Sequence, residues 1–334
     1  MKKILYICGS KNQTTMMHKI SEHLSKYDNY FTNFYGDGII KYAAENDYLN
    51  FTILGNNFKE STFNYLRKNN LQIDPRGGNN DYDLIFTCSD LIIPNNLKNK
   101  KVILVQEGMT DPENFMYYMA KYFKFPRYLA STSTTGLSDA YTYFCVASEG
   151  YNKLFLKKGI RPEKLLVTGI PNFDNLQTLL NNNFPHKDFV LVATSDARET
   201  LKYENRKKFI KEALKIAGKQ QLIFKLHPNE NFRRATKEIN ELAPEALVYT
   251  NGSIDEMIAN CTTLITKYST VVYVGIVLNK EVYSYFDLET LKSLQPIQNN
   301  GESAGNIAKV AEAVLTKLEQ TEFYFNEWAL NNGY

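Results

Sequence analysis

Short, nearly continuous apolar runs recur along the chain, separated by longer stretches in which apolar positions return every three or four residues. The runs at 3–8, 84–88, 102–106, 143–147 and 165–169 have the length and bulk of buried strands, with a weaker one at 51–54. Helical spacing falls between them at 15–25, 60–68 and 150–158. Residues 172–187 break the rhythm with Asn181, Asn182, Asn183 and Pro185, and predict a linker. The alternation then restarts, with strands at 189–194, 221–226, 246–249, 263–266 and 282–285. Helices are expected at 204–217, 232–242, 254–259, 270–278, 306–317 and 323–330. Repeated β-α alternation predicts an α/β fold, with parallel sheets covered by helices on both faces. Two Rossmann-like domains with a deep cleft between them are expected, spanning 1–180 and 181–315. A last helix at 316–334 would return to the first domain.

A chain of 334 residues suits two domains of ordinary size. No apolar run is long enough to span a bilayer. The first eight residues resemble a signal peptide only briefly, because Gly9 and Ser10 end the apolar stretch without a cleavage-like site. They read as the first strand of a cytoplasmic protein. Cys8, Cys88, Cys145 and Cys261 form no C-x-x-C pair and lie in or beside strand-like segments, which predicts buried free thiols. A net charge of +3 does not indicate a nucleic-acid binder. No metal site is expected, since no His/Cys grouping has zinc spacing. Asp81 and Asp83 form an Asp-x-Asp that runs straight into a strand, so edge carboxylates are the reading. Residues 9–15 superficially look like a phosphate-binding loop but lack its Gly-Lys pair.

Ligands of open α/β sheets sit beyond the carboxyl ends of strands, so residues just after strands are the candidates. His227-Pro228 follows the run 221–226 and is expected to open a helix, where proline fits the first turn. An imidazole beside free N–H groups suits a phosphate; a plain loop histidine is the alternative. Thr194, Ser195 and Arg198 follow the first strand of the second half and could hold phosphate oxygens, or cap a helix together with Asp196 and Glu199. Thr250, Asn251 and Ser253 precede a helix; Ser253 and Glu256 read as a capping box, and the loop could also present groups to a base. Ser269 and Thr270 are expected at the start of an apolar helix, with hydroxyls free for a second phosphate contact. In the first half, Glu107 follows a strand and precedes Gly108, and could act as a general base or be a solvated turn residue.

Glu107-Gly108, His227-Pro228 and Ser269-Thr270 together resemble the acidic-Gly, His-Pro and Ser-Ser/Thr motifs of bacterial sialyl-, polysialyl- and Kdo-type glycosyltransferases. Residues 167–174 and 267–280 are also similar to a wider superfamily containing CDP-glycerol glycerophosphotransferases and UDP-N-acetylglucosamine 2-epimerases. The resemblance covers most of the chain in layout, although each motif is short. It implies a GT-B fold and an inverting transfer of sugar from a CMP-linked donor to a glycan or glycolipid of capsule or lipopolysaccharide type. It implies Glu107 as the base, with Gly9, Ser10 and Gly108 on the acceptor side. His227, Pro228, Ser269 and Thr270 would hold the donor phosphate, and no cofactor beyond the nucleotide-sugar co-substrate is implied. The motif here reads Gln106-Glu107-Gly108, with a single carboxylate before the glycine. A 2-epimerase, a CDP-glycerol-type glycerophosphotransferase and a non-catalytic nucleotide-sugar binder are the alternatives.

Residues 115–128 are dense in aromatics with interleaved Lys and Arg. Such a composition suits a lipid headgroup layer, and peripheral contact with the cytoplasmic face of the inner membrane is one expectation. An ordinary helix with a core face and a sugar-binding rim are the others.

Overall fold

The computed structural model describes residues 1–50, 52–200, 203–267 and 269–316. The chain divides into two compact units. One is Met1–Asn172 together with the described residues from Asn299 to Thr316; the other is Phe173–Gln298.

The first unit holds a six-stranded sheet of β1 (Lys3–Cys8), β2 (Asp28–Asn33), β3 (Leu84–Thr87), β4 (Val102–Val105), β5 (Tyr143–Val146) and β6 (Leu165–Val167). The strands are all parallel in the order β2-β1-β3-β4-β5-β6. Helices α1 (Lys11–Glu22), α2 (Gly38–Glu45), α3 (Asn56–Lys68), α4 (Phe115–Phe123) and α5 (Glu149–Lys157) connect them. β3 and β4 are buried along their whole length, as continuous apolar runs require in a sheet covered on both faces. Tyr6 of β1 lies between Phe31 of β2 and Phe86 of β3, with ring centroids 4.9 and 5.1 Å away.

The second unit holds β7 (Val190–Ala193), β8 (Leu222–Lys225), β9 (Leu247–Tyr249), β10 (Thr263–Ile265) and β11 (Glu281–Tyr283). They are again all parallel, in the order β11-β10-β7-β8-β9. Helices α6 (Arg206–Ala217), α7 (Phe232–Leu242), α8 (Ile254–Asn260), α9 (Val272–Val277) and α10 (Leu288–Ser293) accompany them. One core joins Val190, Val192 and Phe224 of the sheet to Phe209 and Ile210 of α6 and Ile239 of α7. This is the expected α/β architecture, two parallel sheets with alternating helices.

The structure differs from the sequence expectation in several places. Residues 52–54 form a turn leading into α3 rather than a strand, and Phe51 lies outside the described residues. The strand missed was β2, whose sequence DNYFTN is too polar to signal burial and is secured by pairing with β1. The expected linker contains the short 3-10 segments Pro171–Phe173 and Leu176–Leu180, and the division of the chain falls within it. The largest revision concerns α11 (Ser303–Leu315), placed by the sequence reading in a second domain ending at residue 315. It belongs to the first unit. Ile307, Val310, Ala311 and Val314 are buried there, and Lys101 Nζ donates to the Val314 carbonyl at 3.0 Å. An apolar helix follows whichever core can bury it, and sequence proximity does not decide which. The helix expected at 323–330, within the expected last element at 316–334, lies outside the described residues.

All four cysteines are free and buried. Burial pushes the thiols of Cys8, Cys145 and Cys261 up to about 12. Asp81 pairs with Lys100, and Asp83 accepts the Lys3 N–H at 2.8 Å, so the Asp-x-Asp is an edge feature. Among the described residues, no helix is long and apolar enough to cross a membrane.

Candidate functional site

Each unit gathers polar residues beyond the carboxyl ends of its strands, where open α/β sheets bind ligands.

In the first unit the loop after β4 carries Glu107 between buried Gln106 and buried Gly108. The Gln106 amide locks this loop. Its Oε1 accepts the Ala147 N–H at 2.9 Å, and its Nε2 donates to the Gly108 carbonyl at 2.8 Å. Ser10 Oγ donates to Glu107 Oε1 at 2.6 Å, and Gln13 Nε2 donates to Oε2 at 2.6 Å. Ser10 is also the N-cap of α1, accepting the Gln13 N–H at 3.2 Å. The carboxylate therefore rests at the positive end of a twelve-residue helix. Gly9 makes room for this arrangement, since a Cβ there would lie 2.1 Å from Gln13 Oε1. Glu107, Gly9, Ser10 and Gly108, all named from sequence, are thus neighbours. The holding role of Gln13 was missed; its helical spacing of three from Ser10 was the available signal.

In the second unit His227-Pro228 does not open a helix. Pro228 and Asn229 occupy a turn closed by the Glu230 N–H donating to the His227 carbonyl at 3.0 Å. α7 begins at Phe232, capped by Asn231, whose Oδ1 accepts the Arg234 N–H at 3.1 Å. Proline suits the second position of such a turn as well as it suits a helix start. The His227 N–H donates to Thr194 Oγ1 at 3.0 Å and to Glu230 Oε2 at 2.9 Å. Thr194 Oγ1 in turn donates to Glu230 Oε2. The ring is half-exposed, with Nδ1 accepting the Asn229 N–H at 3.3 Å and lying 3.7 Å from Asp196 Oδ2. Among the described residues no hydrogen bond is made by Nε2. With Nδ1 as acceptor, the neutral ring carries its hydrogen on Nε2.

Beneath the turn lies a buried charge cluster that sequence reasoning missed. Arg206, 3% exposed, pairs with Glu230 and approaches Glu204 Oε1 to 2.5 Å. Lys267 Nζ reaches the same Glu204 oxygen at 3.3 Å and sits 4.5 Å from the Phe209 ring centroid. Two cations and two carboxylates cancel, so this cluster is a scaffold rather than an anion receptor. Burial lowers the Lys267 pKa, opposed by Glu204. Burial likewise lowers that of Lys225, whose Nζ donates to the carbonyls of Leu226 at 2.9 Å and Thr250 at 3.2 Å. Single charged residues in a sequence read as surface, and only Glu230, three places after His227, and Lys267, two before Ser269, sit close enough to have been suspected.

Other candidates are placed differently from the sequence expectation. Arg198 spends its fork on Glu238, at 2.8 and 2.9 Å, and this pairing raises its pKa. The phosphate contact expected of Arg198 would have to compete with this pair. Residues 197–200 form a turn rather than a capped helix, and Ser195 Oγ donates to Glu204 Oε2 at 3.4 Å. Ser269 and Thr270 lie in the turn before α9, which starts only at Val272 and runs six residues. Their carbonyls accept the N–H groups of Val272 at 3.2 Å and Tyr273 at 3.1 Å. Ser253 caps α8, accepting the Glu256 N–H at 3.4 Å, while Asn251 is exposed. No group of three His, Cys, Asp or Glu among the described residues could hold a metal ion.

The two-sheet architecture, with these strand-end clusters, is of the GT-B-like class. Solved structures of that build match nearly the whole chain. The UDP-GlcNAc 2-epimerase of Neisseria meningitidis bound to UDP-GlcNAc is 12% identical, with 93% of this chain and 99% of that chain covered and a TM-score of 0.56. A variant of the wall teichoic acid polymerase TagF is 12% identical over 96% of this chain and 90% of that one, with a TM-score of 0.56. The Methanocaldococcus jannaschii UDP-GlcNAc 2-epimerase in complex with UDP-GlcNAc and UDP is 15% identical over 95% and 94%, with a TM-score of 0.52. At these identities the likeness establishes the fold. No family model and no curated protein matches the sequence.

Proposed function

We propose that the protein is a nucleotide-sugar-dependent glycosyltransferase whose second unit holds the donor phosphate and whose Glu107 serves the acceptor. The carrying observation is His227. Its backbone is fixed by Thr194 and Glu230, and its ring presents, beyond the end of β8, an Nε2 that makes no hydrogen bond among the described residues. A donor fixed before reaction can stabilise charge as it develops on a leaving phosphate, without reorganisation at that moment. The hydroxyls of Ser269 and Thr270, with Ser195, would supplement it. Thr250, Asn251 and Ser253 would border the base.

In this reading an acceptor hydroxyl gives its proton to Glu107 and its oxygen attacks the anomeric carbon. The bond from that carbon to the phosphate oxygen breaks, and the electron pair leaves with the nucleotide. Glu107 is positioned by hydrogen bonds from a hydroxyl and an amide, and among the described residues no cation pairs with it. A CMP-linked donor and a glycan or lipid-linked acceptor are the finer reading, resting on the motif resemblance. A second reading is a 2-epimerase acting on UDP-GlcNAc alone, supported by what the two epimerase structures bind.

A thermal-shift panel of CMP, CDP, UDP and GDP, followed by donor turnover with and without acceptor, tests both. A ligand at a hundred times its Kd stabilises by about 2.7 kcal/mol. CMP is expected to raise the melting temperature in the wild type and not in His227→Ala. Glu107→Gln is expected to keep the nucleotide shift and lose acceptor-dependent turnover. Stabilisation by UDP alone, with epimerisation in the absence of acceptor, would replace the first reading by the second.

A further inference from the structure

The aromatic stripe of α4 faces the wrong way for a core helix. An amphipathic helix normally buries its apolar face. Here Phe115, Tyr118, Tyr122 and Phe123 are 74%, 46%, 66% and 68% exposed, while Tyr117 on the opposite side is buried. Spacings of three, four and eight residues put the exposed rings on one face. The patch continues past the helix through Phe125, Tyr128 and Leu129, all exposed. Such a contiguous group is unusual on a soluble surface and marks an interaction site.

The charges say what kind of partner fits. Residues 115–129 contain Lys121, Lys124 and Arg127 and no acidic residue, while Glu113 just before the helix accepts the Tyr118 hydroxyl at 3.4 Å. Lys124 is exposed; Lys121 is partly buried, its Nζ lying over the Tyr122 ring at 5.5 Å while donating to the Tyr117 hydroxyl at 3.3 Å. Arg127 is turned back, donating to the Asp90 carbonyl at 3.1 and 3.2 Å, and serves to pin the segment. Tyr side chains place a polar tip on an apolar body, which suits the headgroup boundary of a bilayer. Basic residues still outnumber acidic ones around this aromatic face, a balance that fits an anionic surface.

We infer that α4 and the residues following it dock on the surface of a bilayer containing anionic lipid, with Phe115, Tyr122 and Phe123 entering the headgroup layer and Lys121 and Lys124 meeting the lipid charge. The inference does not depend on the proposed transfer chemistry. Were the acceptor lipid-linked, the docking would bring it to the unit that carries Glu107.

The test is co-sedimentation of the full chain with phosphatidylglycerol–phosphatidylcholine vesicles and with phosphatidylcholine vesicles alone. Wild type is expected to partition onto the anionic vesicles and to be released by raised salt. The triple variant Phe115→Ser, Tyr122→Ser, Phe123→Ser should lose partitioning by about ten-fold or more at unchanged melting temperature, because these side chains are exposed. Lys121→Glu with Lys124→Glu should lose binding to anionic vesicles. Failure of wild type to bind, or equal binding by the triple variant, overturns the inference. Self-association in solution that the triple variant abolishes, without vesicle binding, would assign the face to a second copy of the chain instead. Nucleotide binding in the thermal-shift panel is a separate readout, so either proposal can fail alone.

Discussion

Lys158 loses almost all contact with water on folding and gains no carboxylate partner among the described residues. Its Nζ donates to the Ser133 carbonyl at 2.8 Å and lies 5.5 Å from the Tyr117 ring centroid and 5.7 Å from that of Phe155. Burial pushes its pKa down from 10.5 to about 8, against the opposing pull of Glu113 and Asp111. Between these two values the unfolded chain binds the extra proton, so stability rises with pH across that window. Below it the cost of the buried charge is present in full. Wild type should therefore gain about 2 kcal/mol relative to Lys158→Met as pH rises from about 7.5 to about 9.5. Urea denaturation of the pair at several pH values checks this, and a pH-independent difference would refute it. The buried charges of Arg206, Glu204, Glu230 and Lys267 are the contrasting case, since each cation there has a carboxylate.

Helix starts are where local sequence speaks most clearly, and α1 carries both structure and chemistry at its start. Ser10 caps the helix and donates to Glu107 with one hydroxyl. Ser10→Ala should cost about 1 kcal/mol in stability, as lost N-caps do. It should also lower turnover, because Glu107 would keep only the Gln13 contact. Circular dichroism melting and a donor-consumption assay separate the two effects; a melting loss with unchanged turnover would detach Ser10 from the chemistry. The His-Pro turn shows the limit of such signals. Proline is compatible with a helix start and with a turn, and here the buried Glu230 decides in favour of the turn by accepting the His227 N–H. Ser269 and Thr270 read as a helix start and lie in a turn, because the β-branched run after them becomes helical only from Val272, where it is buried.

The chain leaves its first unit at Asn172 and re-enters it at Asn299. The first unit is therefore discontinuous, and its core is completed only when α11 has been made. Val310, 1% exposed, is a plug in that core. Val310→Asp buries a carboxylate without a partner and should cost about 3 kcal/mol or more. Hydrogen exchange should show the loss in β1 and β3 of the first unit, with β7 and β8 of the second protected as before. Equal loss in both units would mean that they unfold as one.

Sequence by itself determined the strands that are buried on both faces. β4 and β7 are continuous apolar runs, β3 and β8 are apolar but for their last residues Thr87 and Lys225, and burial removes all four from water. It also determined that Glu107, His227, Ser269 and Thr270 follow strands, which is a matter of chain order. Tertiary structure alone decided the rest. β2 is stabilised by its partner and not by its own composition. α11 follows the core that accepts it. The residues that fix His227, namely Thr194, Glu230 and behind them Arg206, are spread over 36 positions between Thr194 and Glu230 and meet only when β7 and β8 pair. Apolar periodicity is a one-dimensional signal because burial has no preferred partner. Hydrogen bonds and ion pairs depend on which atoms meet, and that is settled in three dimensions.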